Sequence, residues 1–220
     1  MPPWWPRTRR AGGWRVWIKI CGCRRPEDAA QAAAAGADAV GMVLTPGYRR
    51  SLDPDDAVAV RRAVPPGVLA VGVFVDEPPE AVERRAAAVG LDAVQLHGRE
   101  PDAWVAALRR RWRVLRHWDL TDPAPEADWL LVEPRAGGSG LAWDWSRARG
   151  VGTGVPLVLA GGLTPENVAA ACAMALPHGV DVSSGVEIGG CKNPDRMRRF
   201  CAAARGWASG DLERGHHRRA

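Results

Sequence analysis

Two residues capable of acid–base chemistry each follow directly after a short apolar segment. Cys21 follows Trp17-Ile18-Lys19-Ile20, and Glu133 follows Trp129-Leu130-Leu131-Val132. If both segments are parallel β-strands, the two side chains lie at carboxyl ends of strands, where ligands bind in α/β folds. A cysteine can act as a base when the pKa of its thiol falls far enough for the thiolate to form, and a carboxylic acid can donate a proton when its pKa is raised. Each residue alone is better explained as a small core thiol or a solvated carboxylate, but as a pair at one end of a barrel they could transfer protons to and from a bound molecule.

Small residues follow two later apolar segments. In (β/α)8 barrels, the turns after the seventh and eighth strands commonly bind phosphate, because backbone N–H groups and a helix N-terminus point at the anion. One such turn alone would be typical of any tight connection, whereas two adjacent turns favour a phosphate site. The residues of this predicted site are Gly161, Gly162, Ser183, Ser184 and Gly185.

Two further segments have possible binding roles. Arg49 and Arg50 lie in the loop after the second apolar segment, where one guanidinium could pair with a substrate carboxylate. A solvated arginine pair is the alternative. The segment Gly137-Gly138-Ser139-Gly140 predicts a mobile loop that could close over a ligand, or a plain linker. It is not a P-loop, because no Gly-Lys-Ser/Thr follows it.

Eight predicted strands, mostly separated by helical segments, organise these residues. Alternating strands and helices imply parallel βαβ units, and eight of them in one chain of this length predict a single-domain α/β fold, a (β/α)8 TIM barrel with short loops. A doubly wound open sheet is the alternative. The helices after strands 5 and 6, at Thr121–Asp128 and Trp145–Arg149, are predicted to be degraded. The strands are predicted at Val16–Ile20, Ala39–Leu44, Val68–Val75, Ala93–Leu96, Arg113–Arg116, Trp129–Val132, Pro156–Leu159 and Gly179–Val182.

The net charge of +5 comes from the two ends of the 220-residue chain. Residues 1 to 15 carry four arginines and no acid, and residues 206 to 220 carry three arginines against two acids. The remaining charges cancel, which argues against a nucleic-acid-binding face. No apolar run approaches the roughly 20 residues that span a bilayer, and the N-terminus lacks the apolar region of a secretory signal. We therefore expect a barrel domain at 15–205 between disordered tails at 1–14 and 206–220.

The cysteine pattern indicates neither a disulfide framework nor a structural zinc site. The five cysteines are an odd number, and they form no paired C-x-x-C motifs. His216 and His217 lie in a predicted tail and are more typical of a solvated segment than of a metal site. The simplest location is a reducing cytoplasm, and no metal site is expected.

Six motifs occur in collinear order from about Val16 to Ala204, and together they resemble one known family. They are Lys19-Ile20-Cys21-Gly22, Val71-Gly72-Val73-Phe74-Val75, Val94-Gln95-Leu96-His97-Gly98, Gly137-Gly138-Ser139-Gly140 with Asp144-Trp145, Leu159-Ala160-Gly161-Gly162-Leu163 with Pro165-Glu166-Asn167-Val168, and Gly179-Val180-Asp181-Val182-Ser183-Ser184-Gly185-Val186-Glu187. The set resembles the phosphoribosylanthranilate isomerase family.

The resemblance implies a (β/α)8 barrel that performs an Amadori rearrangement in tryptophan biosynthesis without a cofactor. N-(5-phosphoribosyl)anthranilate would become 1-(2-carboxyphenylamino)-1-deoxyribulose 5-phosphate. Cys21 matches the base that takes the proton from C2 of the ribose, and Glu133 stands at the position of the acid that protonates the ring oxygen. Arg50 matches the arginine that binds the anthranilate carboxylate, and Asp181 matches an Asp near the substrate. The family also implies a small phosphorylated ligand, no membrane or nucleic-acid partner, and a monomer or homodimer.

The acid position departs from the family pattern. Glu133 stands where the family has Asp, which extends the carboxyl group by one methylene, and a misplacement of about 1 Å can cost ~10²-fold in rate. Smaller departures are Met42, Leu44 and Ser51. These differences leave two alternatives, a low-activity or non-catalytic barrel that binds a phosphorylated ligand, and a related sugar-phosphate isomerase of shifted specificity.

Overall fold

All eight predicted strands are present in the computed structural model. The structure describes residues 9–10, 13–121, 123–133, 143–151 and 153–215, with side chains from Arg15 to Trp207 within these ranges. The Val, Leu and Ile content of the eight strands is typical of parallel strands that are covered on both faces. The strands, numbered β1 to β8, are Trp17–Ile20, Ala39–Val43, Leu69–Phe74, Ala93–Leu96, Arg113–Trp118, Trp129–Val132, Leu157–Leu159 and Gly179–Val182.

The strands close into one parallel barrel in sequence order. The last strand pairs with the first, which aligns Asp181 with Lys19 and Val182 with Ile20. It also pairs with β7 on its other side. Closure excludes the open doubly wound sheet and confirms the predicted TIM barrel.

Six α-helices cover the outside of the described barrel. Helices α1, α2 and α3 begin with proline at the first helical position and acids in the first turn, which suit the fixed φ and the positive end of a helix. Gly90, in the left-handed conformation, ends α3. The helices α1 to α6 are Pro26–Ala34, Pro54–Arg62, Pro79–Val89, Asp102–Leu108, Val168–Ala175 and Pro194–Gly215.

The connections after β5 and β6 contain no α-helix among the described residues. The chain runs from β5 to β6 through turns and bends, with residue 122 outside the described part. After β6, Trp145–Ala148 forms one 3-10 turn, at whose start the Asp144 carboxylate accepts a 3.1 Å hydrogen bond from the Ser146 N–H. The predicted degraded helices are thus confirmed, whereas the predicted mobile loop at Gly137–Gly140 lies outside the described residues.

The barrel interior changes from apolar to polar toward the carboxyl ends of the strands. Trp17 of β1 and Trp129 of β6 pack together with ring centroids 5.3 Å apart, and both are buried. Above this apolar layer lie the buried side chains of Lys19, Gln95 and Asp181. Buried charged and amide groups are costly unless they are paired, so their presence at this end of the barrel marks the mouth where chemistry takes place.

The structure differs from the sequence prediction in parts of the two tails. Arg9–Arg10 pairs antiparallel with Gly13–Trp14, and α6 continues past residue 205 to Gly215. The helix can continue because residues 206–215 contain no proline. The domain boundaries at 15–205 stay a prediction.

Two features of the described residues concern membrane crossing and metal binding. Across the described helices, none combines the length and the apolar character needed to cross a membrane. The same part of the chain brings together no group of three or more His, Cys, Asp or Glu side chains suited to a metal ion.

Candidate active site

A cavity of about 400 Å³ opens at the carboxyl ends of the strands. Its wall contains every residue that the sequence analysis proposed for catalysis or binding, contributed by the ends of five different strands. The roles of these residues stay predictions, but their convergence is a property of the structure. They are Cys21, Arg50, Glu133, Gly161, Gly162, Asp181, Ser183, Ser184 and Gly185.

Cys21 lies deep in this cavity, with 9% of its surface exposed. Its N–H donates a 2.8 Å hydrogen bond to the Val182 carbonyl, which ties the end of β1 to β8. Burial raises the pKa of the Cys21 thiol, the Lys19 ammonium lowers it, and the Asp181 carboxylate raises it. Cys23, by contrast, packs between strands and helices, where burial raises its pKa to about 12. Of the two thiols, only that of Cys21 therefore borders the cavity.

Two buried oxygens of the cavity are able to accept hydrogen bonds from a ligand. Asp181 Oδ2 accepts a hydrogen bond from Lys19 Nζ at 3.0 Å, whereas Asp181 Oδ1 accepts none from the described residues. Gln95 Oε1 is in the same situation. Because buried polar atoms are normally hydrogen-bonded, these two oxygens suit the hydroxyl or amine groups of a bound molecule.

Glu133 faces a chain of polar side chains from β4. Its Oε2 lies 3.6 Å from His97 Nε2, and the opposite ring nitrogen, Nδ1, lies 2.9 Å from Gln95 Nε2. With the Gln95 amide donating to Nδ1, the ring proton is on Nε2 and points toward Glu133. Burial, together with the charges of His117 and Lys19, lowers the pKa of His97 to about 3, so this ring is neutral at pH 7. A neutral imidazole thus lies next to the carboxyl group, at a distance slightly longer than a hydrogen bond.

The turns after β7 and β8 pack tightly against each other at one side of the cavity. Gly161 and Gly162 have φ of +85° and +67°, a region that favours glycine. A Cβ on Gly185 would lie 1.8 Å from the Leu163 carbonyl oxygen, so only glycine allows the two turns to approach. Asn167 supports the first turn by donating a 2.9 Å hydrogen bond to the Gly162 carbonyl. The result is a closely packed backbone surface next to the start of α5, of the kind that binds phosphate.

We expect Gly185→Ala to weaken the binding of inorganic phosphate by about tenfold or more. The added Cβ must push the two turns apart, and one lost hydrogen bond to a charged group costs about 1.5–3 kcal/mol. Titration calorimetry with phosphate measures the effect. Gly206→Ala is the matched control, because a Cβ at this α6 glycine meets no atom within 4 Å. Equal phosphate affinity in the two variants would contradict the assignment of these turns.

Arg50 reaches across the end of β1 toward the segment after β8. Its Nε and Nη2 donate to the two carboxylate oxygens of Glu187, both at 2.8 Å. Gly22 leaves the necessary space, since a Cβ there would lie 2.4 Å from Arg50 Cδ. Lys192 also donates to Glu187, at 2.8 Å, and to the Ser183 carbonyl, at 3.0 Å. Glu187 therefore connects the arginine predicted to bind a carboxylate with the turn predicted to bind phosphate.

This cluster keeps a positive charge. Burial alone would raise the pKa of Glu187, but hydrogen bonds from Arg50 and Lys192 lower it to about 2. Arg49 lies 3.1 Å from the same carboxylate. Three cations thus surround one anion, which leaves a net charge of +2 beside the cavity and suits an anionic ligand.

The sequence analysis assigned no role to four side chains of this region, namely Lys19, Gln95, Glu187 and Lys192. One signal could have pointed to the lysines. Of 30 basic residues in the chain only two are lysine, and both are buried at this site. Arginine thus supplies nearly every positive charge of this chain, and both lysines lie where the charged group is buried.

The fold and the cavity define a (β/α)8-barrel enzyme that acts on a small phosphorylated molecule. The model of the N-(5'-phosphoribosyl)anthranilate (PRA) isomerase family matches residues 18–203. The N-(5'-phosphoribosyl)anthranilate isomerase of Desulforudis audaxviator is 43% identical over 201 residues, which cover 86% of this chain and 97% of that protein.

Solved structures agree with this match. The phosphoribosyl anthranilate isomerase of Thermus thermophilus is similar with a TM-score of 0.79 at 40% identity, covering 86% of this chain and 98% of that one. A phosphoribosyl anthranilate isomerase in complex with reduced 1-(o-carboxyphenylamino)-1-deoxyribulose 5-phosphate has a TM-score of 0.74 at 36% identity, covering 87% and 99%. The chain belongs to the phosphoribosylanthranilate isomerase family, which confirms the resemblance found in its motifs.

Proposed function

We propose that this isomerase of tryptophan biosynthesis converts N-(5-phosphoribosyl)anthranilate with Cys21 as general base and Glu133 as general acid. The observation that carries the proposal is that a thiol, a carboxyl group, the closely packed turns after β7 and β8 and the arginines after β2 border one cavity of about 400 Å³. The substrate has a phosphate at one end and an aromatic carboxylate at the other. Holding both ends keeps the ribose between them in reach of the proton-transferring groups.

The two anionic ends of the substrate fit two different parts of the wall. The phosphate fits the turns after β7 and β8, and the anthranilate carboxylate fits the cationic cluster around Arg50. Because Nε and Nη2 of this arginine are bound to Glu187, Nη1 is the donor directed to the substrate. The ribose hydroxyls then lie near the acceptor oxygens of Asp181 and Gln95.

Proton transfers in this arrangement account for the isomerisation. Glu133 donates a proton to the ring oxygen, the bond from C1 to that oxygen breaks, and the nitrogen lone pair forms a C1=N bond. The Cys21 thiolate then removes the proton from C2, and the released electrons neutralise the iminium group to give an enolamine. Loss of the C2 hydroxyl proton and protonation of C1 complete the aminoketose, so the product has the atoms of the substrate.

Loss of anthranilate-type fluorescence after mixing the purified protein with the anthranilate ribotide tests the activity. We expect turnover, and we expect the gene to restore growth of a tryptophan auxotroph that lacks this isomerase. Binding of a substrate analogue without turnover would instead support the non-catalytic barrel that the Glu133 departure suggests. Turnover of a different aminoaldose alone would support shifted specificity.

The surroundings of the enzyme are part of the same proposal. We infer a cytoplasmic enzyme with a small phosphorylated substrate, because the pathway is biosynthetic and all five cysteines are free, which suits a reducing compartment. A monomer or homodimer without nucleic-acid or membrane partners is consistent with the cancelling charges of the barrel body.

A further inference from the structure

A buried lysine lies next to the Cys21 thiol inside the barrel. Lys19 lies in β1, and Cys21 follows directly after this strand, two residues further on, so both side chains point inward. Its Nζ lies 3.0 Å from Asp181 Oδ2, and the lysine side chain is fully buried. An ideal Cβ on Gly41 of β2 would lie 2.8 Å from Cys21 Sγ and 2.9 Å from Lys19 Cε. The lysine chain and the thiol therefore meet over this glycine.

The composition of the chain sets this lysine apart. Lysine occurs only at positions 19 and 192, against 28 arginines. A lysine ammonium is a compact point charge, whereas the guanidinium of arginine is a larger planar fork. The enclosed space between Cys21, Asp181 and Gly41 fits the smaller cation. The smaller size of the ammonium group thus explains why position 19 is lysine, although most basic residues of this chain are arginine.

Several charged and titratable groups face the thiol. Burial has the largest effect on the pKa of Cys21 and raises it, Lys19 opposes this rise by charge and by hydrogen bonding, and Asp181 adds to it. The neutral ring of His97 contributes no charge at pH 7. The groups around the thiol are Lys19 from β1, Arg50 after β2, His97 after β4, Glu133 after β6, Asp181 from β8 and Lys192 beyond β8.

We propose that Lys19 is a positioning residue whose ammonium group, held by Asp181, is the counter-charge that stabilises the Cys21 thiolate. The inference rests on the proposed function, in which Cys21 is the base. A thiolate enclosed by protein is costly without an opposite charge, because burial removes its hydration. Asp181 has two opposing effects, since it holds the ammonium in place while its own negative charge works against the thiolate.

The test follows the ionisation of Cys21 rather than turnover. All variants carry Cys191→Ser, which removes the exposed thiol and leaves Cys21 beside the buried Cys23, Cys172 and Cys201. The rate of alkylation by iodoacetamide across a pH series reports the thiolate, and a Cys21→Ala version supplies the background. We expect Lys19→Met to slow alkylation about tenfold or more near neutral pH, and Asp181→Asn to accelerate it by about tenfold.

Opposite signs in the two variants distinguish a counter-charge from a purely structural ion pair, which would change both rates in the same direction. Lys192→Met removes the other lysine and is expected to have a smaller effect than Lys19→Met. If Lys19→Met fails to fold by circular dichroism, Lys19→Gln decides in its place, because glutamine removes the charge and can still donate a hydrogen bond to Asp181, and unchanged alkylation there would overturn the inference. A further outcome is that the parent protein shows no turnover while the two variants still change the alkylation rate in opposite directions. That result would contradict the proposed function but support the role of Lys19.

Discussion

Replacing Cys21 by alanine is expected to lower kcat by about 10²–10⁴-fold, the usual contribution of a general base. Neither the neighbouring amine of Lys19 nor the neighbouring imidazole of His97 can take over the proton transfer. Burial lowers the pKa of Lys19, but the charges of Asp181 and Cys21 raise it above its ordinary value, so the amine stays protonated. The pKa of His97, about 3, makes this ring too weak a base. The loss should therefore appear in the chemical step, with KM changed only a few-fold.

Cys23→Ala is the matched control for this prediction. It removes a thiol two residues away that is fully buried, packs between the strands and the helices and lies 3.8 Å from the Ile20 carbonyl oxygen. We expect a modest loss of stability and a nearly unchanged kcat in the fluorescence assay. Turnover of Cys21→Ala close to that of Cys23→Ala would show that the base lies elsewhere.

The fold follows from the sequence because each signal for it is local. Mostly apolar segments of three to six residues, prolines at helix starts and glycines at helix ends are all visible in short windows, and they place all eight strands. The continuation of α6 to Gly215 was missed because charge and composition suggested a tail, whereas contacts of the helix with the barrel are not visible in sequence. Local propensity alone leaves such chain ends undecided.

The candidate site could be predicted only in part. Strand order and strand ends predict which residues share one end of the barrel, and this is why Cys21, Glu133 and the turns after β7 and β8 are found around one cavity. Partners of these residues depend on side chains that meet over long sequence distances. Arg50 and Glu187 are 137 positions apart, and Lys19 and Asp181 are 162 apart. Of these partner residues, only the lysines have a signal in the sequence, which is that lysine is rare in this chain.

The departure at Glu133 is accommodated by its surroundings. Its backbone N–H donates to the Trp118 carbonyl at 3.3 Å, and its carbonyl oxygen lies 2.9 Å from His117 Nε2. Both contacts come from β5, and together they hold the backbone at the end of β6. The longer side chain then brings the carboxyl group to 3.6 Å from His97 Nε2. A shorter side chain could not be compensated by a shift of this backbone.

Glu133→Asp is therefore expected to lower kcat by about 10²-fold, even though it introduces the residue typical of the family. The carboxyl group would withdraw by about 1 Å from the position where the reacting oxygen meets it. Glu133→Gln, which keeps the length but removes the acid, should cost about 10²–10⁴-fold. Steady-state kinetics of both variants measure these losses.

Glu77→Asp is the control. Glu77 follows β3, forms an ion pair with Arg85 of α3 and does not contribute to the cavity wall. If Glu133→Asp were as fast as the parent, the backbone would have to follow the shorter side chain, and the anchoring by His117 and Trp118 would not be what positions the acid.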